Sequence, residues 1–485
     1  MPVTFLAIQR VLGYLVMLFS LTMLSPIPFS LYFGDGTWTA FAGSFLVILG
    51  SGAVIWYPVR DEERELRLRD GFLVVALFWV VLGLFGAAPL LLSEDPSMRF
   101  TDAVFESVSG LTTTGATVLA GLDSLPNAIL FYRQQLQWLG GLGIIVLAVA
   151  VLPMLGVGGM QLYRAETPGP VKDSRLTPRI TETAKALWYV YLGITLVCGV
   201  AYWLAGMSMF DALCHAFSTV AIGGFSTHDA SIAYFDSPVI EMIAVVFMFV
   251  AGVNFSLHFF AWRRRRLTNY LADPEFRAYL KLLGGLTSIV LAYLYFTGYY
   301  STLSETFTKG LFQVVSIGTT TGFTTDNFAS WPGALPVLLI FSSFVGGCAG
   351  STAGGMKVIR WLLMYKQGWR EVQRLVHPSA SITVKLGDKA VHSRVVDAVW
   401  GFFAVYVVVY SILLLLLMVD GVDQATAFSA IAATLNNLGP GLGAVADGYG
   451  GLNAVSKWYL ICAMLLGRLE IFTLLVLVTP IFWRR

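Results

Sequence analysis

Long hydrophobic segments alternate with short polar ones along almost the whole chain. A helix needs about 20 apolar residues to cross a bilayer, and ten segments come close to or exceed that length. We predict membrane-spanning helices near residues 4–32, 38–58, 71–93, 128–155, 183–206, 237–261, 277–299, 334–364, 394–419 and 455–483. The first segment shares features with a signal peptide, but its apolar run is long for one. We therefore predict a helix there as well.

The composition agrees with a polytopic membrane protein, because 56% of the residues are hydrophobic and only 12% are charged. Basic residues form short blocks between the apolar segments rather than a stripe, which argues against nucleic-acid binding. These blocks lie at 60–69, 263–266, 357–374 and 484–485. With ten spans they all fall on one side of the membrane, so the positive-inside rule predicts that both termini are cytoplasmic.

Four polar, hydroxyl-rich segments between the spans are variants of one unit. They read DAVFESVSGLTTTGAT (102–117), DALCHAFSTVAIGGFS (211–226), LFQVVSIGTTTGFTTD (311–326) and ATAFSAIAATLNNLGPG (425–441). Each begins as an amphipathic half-helix and reaches a glycine, namely Gly115, Gly224, Gly322 and either Gly439 or Gly441. The next span carries a second glycine, 25 to 28 residues further on if Gly439 is the fourth. This spacing predicts four copies of a helix, a re-entrant half-helix with a loop, and a second helix.

Four such copies around one axis would bring the four loops together and form a pore. Glycine tolerates backbone angles that other residues avoid, and a ring of carbonyls can replace the hydration shell of a cation. The alternative is that small residues only allow close helix packing, but four segments in phase favour a selectivity filter. The predicted filter residues are Thr113, Thr114, Gly115, Ile222, Gly223, Gly224, Thr320, Thr321, Gly322, Asn437, Leu438 and Gly439.

The second helix of the third copy contains GGCAGSTAGG (346–355), with five glycines in ten residues. Each glycine in a helix interior costs about 1 kcal/mol relative to alanine, which favours a loop. Small residues four apart also fit a helix-packing face, and the residues alone leave both possibilities open. At the same register the fourth copy has Arg468, and an arginine inside a span normally faces a cavity or a partner. It either pairs with Glu470, two residues away, or projects into the pore toward carbonyls of the glycine-rich segment.

At the motifs SGLTTTGAT, AIGGFS, GTTTGFTT and NNLGPG, the chain resembles the Trk/Ktr/HKT superfamily of potassium transporters, and its bacterial TrkH branch most closely. The resemblance implies a pseudo-fourfold pore for K+, a homodimer in the bacterial inner membrane, and a cytosolic regulatory subunit that binds NAD(H) or ATP/ADP. Gly115 favours potassium, since sodium-selective relatives often carry serine there. K+ is then expected at Thr114, Gly115, Ile222, Gly223, Thr320, Thr321, Asn437 and Leu438. No organic cofactor is expected on this chain, and membrane lipid surrounds it.

The same resemblance makes 346–355 an intramembrane gating loop beneath the filter. Its expected residues are Gly346, Gly347, Gly350, Ser351, Thr352, Gly354 and Gly355, with Arg468 opposite them. The predicted organisation is an all-α membrane protein with a two-helix N-terminal domain (1–68), pore repeats 1 (69–165), 2 (180–266) and 3 (274–366), a cytoplasmic loop (367–390) and pore repeat 4 (391–485). The polar stretch 366–391 is the candidate docking site for a regulatory subunit.

Two other functions are considered. A K+ symporter coupled to Na+ or H+ would need ionisable or polar groups near the midplane, for which Glu106, His215 and Gln313 occupy equivalent positions in three repeats. An enzyme is not expected, because the sequence shows no catalytic triad spacing and no metal cluster among its five histidines. GLGAVADG (441–448) faintly resembles a dinucleotide-binding turn, but it follows a half-helix instead of a strand.

Overall fold

The computed structural model describes residues 5–62, 66, 68–143 and 180–483. Helices dominate it, and its one pair of strands within those ranges, Lys385–Leu386 and Lys389–Ala390, forms a small hairpin. The all-α fold predicted from the hydrophobic pattern is confirmed. The end of the predicted span 128–155, from residue 144 onward, the end of predicted pore repeat 1 (69–165) and the basic residues 484–485 lie outside the described residues.

The N-terminal part consists of helices Phe5–Ser20, Ile27–Phe33 and Trp38–Trp56, with a short 3-10 turn at Leu21–Leu24. Phe5–Ser20 packs along Trp38–Trp56, and a Cβ added to Gly13 would lie 2.7 Å from the Cβ of Trp56. Small residues therefore bring the two backbones close together, as is common for helices in lipid. The predicted leading helix pair is present, although the first helix is broken by the 3-10 turn.

Four repeats follow, each with a first helix, a half-helix and a second helix. The first helices are Leu68–Phe85 continued by Ala88–Leu92, Ile180–Leu204, Pro274–Thr297 and Ser393–Val419. The half-helices are Phe100–Leu111, Met209–Ala221, Leu303–Gly318 and Gln424–Leu435. The second helices are Asn127–Trp138, Pro238–Ala251 with Phe255–Arg264, Leu335–Ser343 with Val358–Val376, and Ala454–Arg468 with Phe472–Val478 and Pro480–Trp483. Thr268–Ala272 links the second and third repeats.

Local sequence fixes where the half-helices begin. Ser208, Thr302 and Asp423 each accept a hydrogen bond through the side chain from a backbone N–H in the first turn of their half-helix. Such N-caps satisfy donors that a helix end leaves unpaired. These three half-helices therefore begin with a capped first turn, whereas Phe100–Leu111 starts after Arg99 without a side-chain cap.

The second helices are interrupted at the register of their paired small residues, which corrects the prediction of continuous spans at 237–261 and 455–483. In repeat 2 the two halves meet at an angle of 94°, and Asn254 caps the second half by accepting from the N–H of Ser256 at 2.8 Å. In repeat 4, Glu470 and Ile471 have φ values of 52° and 51°, which a helix cannot accommodate. In repeat 1 a π-helical turn, Leu139–Gly143, leads to the end of the described range.

Six helical segments in the described ranges are long and apolar enough to cross a membrane, or seven if the bent pair of repeat 2 is one span. The six are the two N-terminal segments and the first helix of each repeat. The remaining predicted crossings are second helices that are interrupted or, in repeat 1, continue beyond the described residues. In repeat 3 the helix Val358–Val376 extends well into the predicted cytoplasmic loop 367–390, so part of that segment is helical.

Candidate functional site

The loops that follow the four half-helices share one backbone conformation. Thr113, Ile222, Thr320 and Asn437 have φ values of 55°, 55°, 67° and 54°. Two residues later, Gly115, Gly224, Gly322 and Gly439 have φ values of 78°, 76°, 85° and 99°. Positive φ is rare for threonine and isoleucine, so its recurrence at one register identifies equivalent positions. Gly439, rather than Gly441, therefore matches the glycines of the other three repeats.

The four glycines lie against the loop of the next repeat, and these contacts close a ring. A Cβ added to Gly115, Gly224 or Gly322 would lie 2.1 Å from the carbonyl oxygen of Gly223, Thr321 or Leu438, respectively, and one added to Gly439 would lie 2.7 Å from that of Thr114. The contacts thus run from repeat 1 to 2, 2 to 3, 3 to 4 and 4 to 1. No side chain fits at these four positions. Because glycine has none, four backbone segments can meet at one point.

Hydroxyl groups brace the loops of repeats 1 and 3 in the same way. The Oγ1 atoms of Thr112 and Thr114 are 2.7 Å apart, and so are those of Thr319 and Thr321. Thr112 and Thr319 also donate to carbonyls of the preceding half-helix, each at 2.7 Å. These threonines are buried. Their hydroxyls therefore hold the loop conformation as well as offering oxygen atoms near the ring.

The fourth loop uses an amide in place of a hydroxyl. Asn437 Nδ2 donates to Thr114 Oγ1 and to the carbonyl of Met464, both at 3.0 Å. Asn436 bonds to the hydroxyls of Tyr406 and Ser343. The NNLGPG motif is therefore held by neighbouring helices and by the first loop.

The three polar residues considered for a coupling ion are all buried and tie the returning chain to its half-helix. Glu106 accepts from Thr117 Oγ1 at 2.9 Å and from the Val118 N–H at 3.0 Å. His215 Nε2 lies 2.8 Å from Ser226 Oγ, and Gln313 donates to the Asp326 carbonyl at 2.8 Å. Each of these side chains is thus engaged in fixing the chain that leaves its loop.

Sequence reasoning missed a polar face on the second helix of repeat 1. Arg133 forms a fully buried ion pair with Glu106 at 2.7 Å and donates to the Ser226 carbonyl at 3.2 Å. Gln134 and Gln137 reach the same repeat 2 loop, at Phe225 and Gly223. The signal was the run RQQLQ (133–137) inside an apolar span, since buried polar groups are retained where they have partners.

The glycine-rich segment of repeat 3 is non-helical, as predicted, and contacts the bases of three loops. Thr352 Oγ1 donates to the Val220 carbonyl at 2.9 Å, and the Gly354 N–H donates to Thr320 Oγ1 at 2.7 Å. The Gly355 N–H donates to the Asn436 carbonyl at 3.0 Å. The segment therefore lies directly against the ring-forming loops of repeats 2, 3 and 4.

Close backbone approaches explain why this segment is rich in glycine. Gly346, Gly350 and Gly355 have φ values of 67°, 72° and 70°. A Cβ added to Gly347 would lie 2.6 Å from the Cβ of Ala353, and one added to Gly354 would lie 1.9 Å from the Asn436 carbonyl oxygen. Side chains at these positions would displace the segment from its contacts with the loops.

Further hydrogen bonds attach the segment to repeat 2 and to the helix Pro274–Thr297. The Cys348 N–H donates to the Gly252 carbonyl at 2.9 Å, and the Gly350 carbonyl accepts from the Phe255 N–H at 3.0 Å. Ser351 donates to the Cys348 carbonyl at 2.6 Å. Glu275 accepts from the N–H groups of Ala349 and Ile359, at 2.7 and 3.1 Å, and so spans both ends of the break.

Arg468 connects repeat 4 with repeat 1 and with the glycine-rich segment. Its guanidinium donates to the Gly140 and Gly141 carbonyls, the latter at 2.7 Å. It reaches Thr113 Oγ1 at 3.3 Å and the Thr352 carbonyl at 3.5 Å. The predicted contact with the glycine-rich segment is thus the longest of the four, because repeat 1 provides closer acceptors.

Glu470 forms its ion pair with Arg360 at the start of the helix Val358–Val376. The alternative pairing of Glu470 with Arg468 is therefore not the arrangement found. Side chains two residues apart along a helix point in different directions. Arg468 is therefore directed toward the loops.

The ring presents oxygen atoms of the backbone and of threonine hydroxyls. Within the described ranges, no group of three or more His, Cys, Asp or Glu side chains could hold a metal ion. A hard monovalent cation would therefore meet neutral oxygen dipoles, which is the ligand type of carbonyl filters.

Four membrane repeats whose re-entrant loops close a ring of carbonyls define a class of membrane transport protein for cations. The family model for TrkH, described as a cation transport protein, matches residues 38–484. The chain belongs to the TrkH family.

Close relatives match almost the whole chain. The Trk system potassium uptake protein TrkH of Halomonas elongata is 60% identical over 478 residues, 99% of each chain. The protein of the same name in Escherichia coli K12 is 57% identical over 480 residues, again 99% of each. The crystal structure of the potassium transporter TrkH from Vibrio parahaemolyticus shares 55% identity, with a TM-score of 0.91, and the match covers 99% of this chain and 100% of that one.

Proposed function

We propose that this protein takes up K+ through a channel-like pore at the centre of the four repeats. The observation that carries this proposal is the closed ring of contacts between Gly115, Gly224, Gly322 and Gly439 and the carbonyl of the next repeat. The names of the relatives support potassium as the cation. K+ would be held by Thr114, Gly115, Ile222, Gly223, Thr320, Thr321, Asn437 and Leu438.

Transport by such a pore needs no bound energy source on this chain. A membrane potential, negative inside, contributes about 2.3 kcal/mol per elementary charge per 100 mV. The protein would lie in the bacterial inner membrane with both termini in the cytoplasm, so that the half-helices enter from the outer side. It would assemble as a homodimer of two separate pores.

The glycine-rich segment and Arg468 form the proposed gate. The segment lies against the inner ends of three loops, and Arg468 places a positive charge beside Thr113 and the Thr352 carbonyl. A cation leaving the filter would meet both. Opening of the gate then requires both the glycine-rich segment and Arg468 to move away from the loops.

A cytosolic regulatory subunit that binds NAD(H) or ATP/ADP would control this gate. The relatives' names place them in a Trk system, which supports such a partner. The segment 366–391 is the proposed docking site. The helix Val358–Val376 begins directly after the proposed gate and ends within this segment, so it would connect the two.

The filter is tested by cation flux into proteoliposomes containing this chain alone, with K+ and Na+ gradients compared. Gly322→Ser is expected to lower the preference for K+, because a side chain there meets the Leu438 carbonyl oxygen at 2.1 Å. Gly285→Ser is the matched control, since nothing lies within 4 Å of its added Cβ. A K+ preference unchanged in Gly322→Ser, or flux that requires a second ion gradient, would contradict the proposal.

A further inference from the structure

The repeat 2 loop lacks the side-chain brace found in the other repeats. Where repeats 1 and 3 place paired threonines, the sequence of repeat 2 has Ala221, Ile222 and Gly223. None of these side chains has a polar atom, so none can hydrogen-bond to the loop or its half-helix. Gly223 occupies the position whose carbonyl meets Gly115 of repeat 1.

A side chain from repeat 1 holds this loop instead. Gln137 Nε2 donates to the Gly223 carbonyl at 2.6 Å, and Gln137 Oε1 accepts from the Phe225 N–H at 3.1 Å. One amide therefore clamps the backbone on both sides of Gly224. Gln137 is fully buried, and both of its polar ends are used for this contact.

Gln137 and Gly223 are also complementary in size. A Cβ added to Gly223 would lie 2.3 Å from Gln137 Cδ and 2.4 Å from its Oε1. The amide of Gln137 thus occupies the volume that a side chain at Gly223 would need. The missing side chain of one repeat is replaced by a side chain of its neighbour.

We propose that Gln137 is a positioning residue that determines specificity: by holding the Gly223 carbonyl in the ring, it sets the preference for K+ over Na+. This inference rests on the filter function proposed above. A carbonyl oxygen has two lone pairs, so that of Gly223 can accept from Gln137 and still face a cation. Without the clamp, the Gly223 N–H still donates to the Ser218 carbonyl at 2.8 Å, but within the described residues no other hydrogen bond restrains the Gly223 carbonyl itself. The ring then adapts more easily to a smaller ion.

The test compares two buried glutamines on the same helix. Gln137→Met keeps the side-chain length but removes both hydrogen bonds to the loop. Gln135→Met is the matched control, because Gln135 is also buried and bonds to Thr22 and Ser25, in the turn between the first two N-terminal helices. The ratio of K+ to Na+ flux is measured in proteoliposomes, and the unfolding temperature is measured in parallel.

Gln137→Met is expected to lower the flux ratio by about fivefold to tenfold, the change that loss of one or two neutral hydrogen bonds produces. Gln135→Met is expected to lower the unfolding temperature similarly and leave the ratio unchanged. A folded Gln137→Met protein with the wild-type ratio would overturn the inference. A purely structural role would change stability in both variants and selectivity in neither.

A second pair of variants tests the fit if Gln137→Met does not fold. Gly223→Ala is expected to lower the flux ratio in the wild-type background, where the amide blocks its Cβ, and to have little effect in Gln137→Ala, where that space is free. Equal effects in both backgrounds would overturn the inference.

Gly322→Ser separates the two proposals. If this variant leaves the flux ratio unchanged, the filter function itself fails. If Gly322→Ser changes the flux ratio and Gln137→Met does not, only the role of Gln137 is removed.

Discussion

At the scale of single residues, the buried pair of Arg133 and Glu106 joins the second helix of repeat 1 to its half-helix. Their side chains are 1% and 0% exposed, and the guanidinium also lies over the ring of Phe225 at 4.1 Å. Breaking such a pair from one side is destabilising because it leaves an uncompensated buried charge. The effect of a mutation at this pair therefore depends more on the buried charge that is left without a partner than on the attraction between the two side chains.

Arg133→Met is accordingly expected to destabilise the protein by about 3–5 kcal/mol, the usual loss when one member of a buried pair is removed. Glu106→Gln in the same background should recover part of that loss, since no buried charge then remains at the pair. Thermal unfolding in detergent provides the measurement. Equal unfolding temperatures for the single and double variants would show that the charge is compensated elsewhere.

The sequence could predict the equivalence of Glu106, His215 and Gln313, because the four repeats align without gaps around their glycines. It could not predict what these residues contact. The partner of Glu106 lies 27 residues away, on a helix whose rotation about its own axis is not encoded in hydropathy. Gln137 escaped notice for the same reason, as its target lies in another repeat.

At the scale of elements, hydrophobic length predicted the helices well and their interruptions poorly. The break in repeat 3 was visible because glycine is frequent there. The bend at Gly252 was not, because it depends on Asn254 capping the following helix and on the Gly252 carbonyl accepting from Cys348. Interruptions that depend on tertiary hydrogen bonds leave little trace in local composition.

A side chain within the glycine-rich segment is expected to weaken the closed state of the proposed gate. Gly354→Ala places a Cβ 1.9 Å from the Asn436 carbonyl oxygen. Overpacking of this kind costs about 1–3 kcal/mol, enough to shift a closed–open equilibrium by about tenfold. K+ flux through the chain alone should therefore rise.

The matched control for this prediction is Gly368→Ala, because Gly368 lies in the helix after the proposed gate and nothing lies within 4 Å of its added Cβ. Its flux should equal that of the wild type. If Gly354→Ala folds and conducts no better than Gly368→Ala, the contact between the segment and the fourth loop does not hold the gate closed.

At the scale of the whole molecule, charged pairs join the repeats near the start of the half-helices. Lys457 of repeat 4 pairs with Asp102 of repeat 1 at 2.6 Å, and Lys309 of repeat 3 pairs with Glu241 of repeat 2 at 2.5 Å. His228 of repeat 2 contacts Asp123 of repeat 1 and stacks on Tyr234. These contacts hold the repeats together on the side where ions would enter.

The contact of His228 should make stability depend on pH. Burial lowers the pKa of His228, but hydrogen bonds to Asp211 and Asp123 outweigh that effect and raise its pKa above the usual value. A raised pKa means that the folded protein favours the protonated form. The stabilisation is therefore complete below the ordinary histidine pKa of about 6.5 and is lost as the pH rises through the higher pKa of the folded state.

The difference in unfolding temperature between the wild type and His228→Gln should thus be larger near pH 6 than near pH 8, on either side of the ordinary histidine pKa of about 6.5. His377→Gln, at an exposed position outside the bundle, controls for the general effect of losing a histidine. A difference that is constant with pH, or that grows toward alkaline pH, would contradict the assignment of His228 as the protonated partner of the two aspartates.

The extended break in repeat 3 has a consequence for how such a protein can be assembled. In repeat 2 the break spans only a few residues, whereas in repeat 3 it spans the whole stretch between Ser343 and Val358. Four identical subunits around one axis would each bring such a stretch, although the single stretch present already contacts the loops of repeats 2, 3 and 4. Linking the four quarters in one polypeptide allows them to diverge, so that a single glycine-rich segment would be enough for the proposed gate and one event could open it.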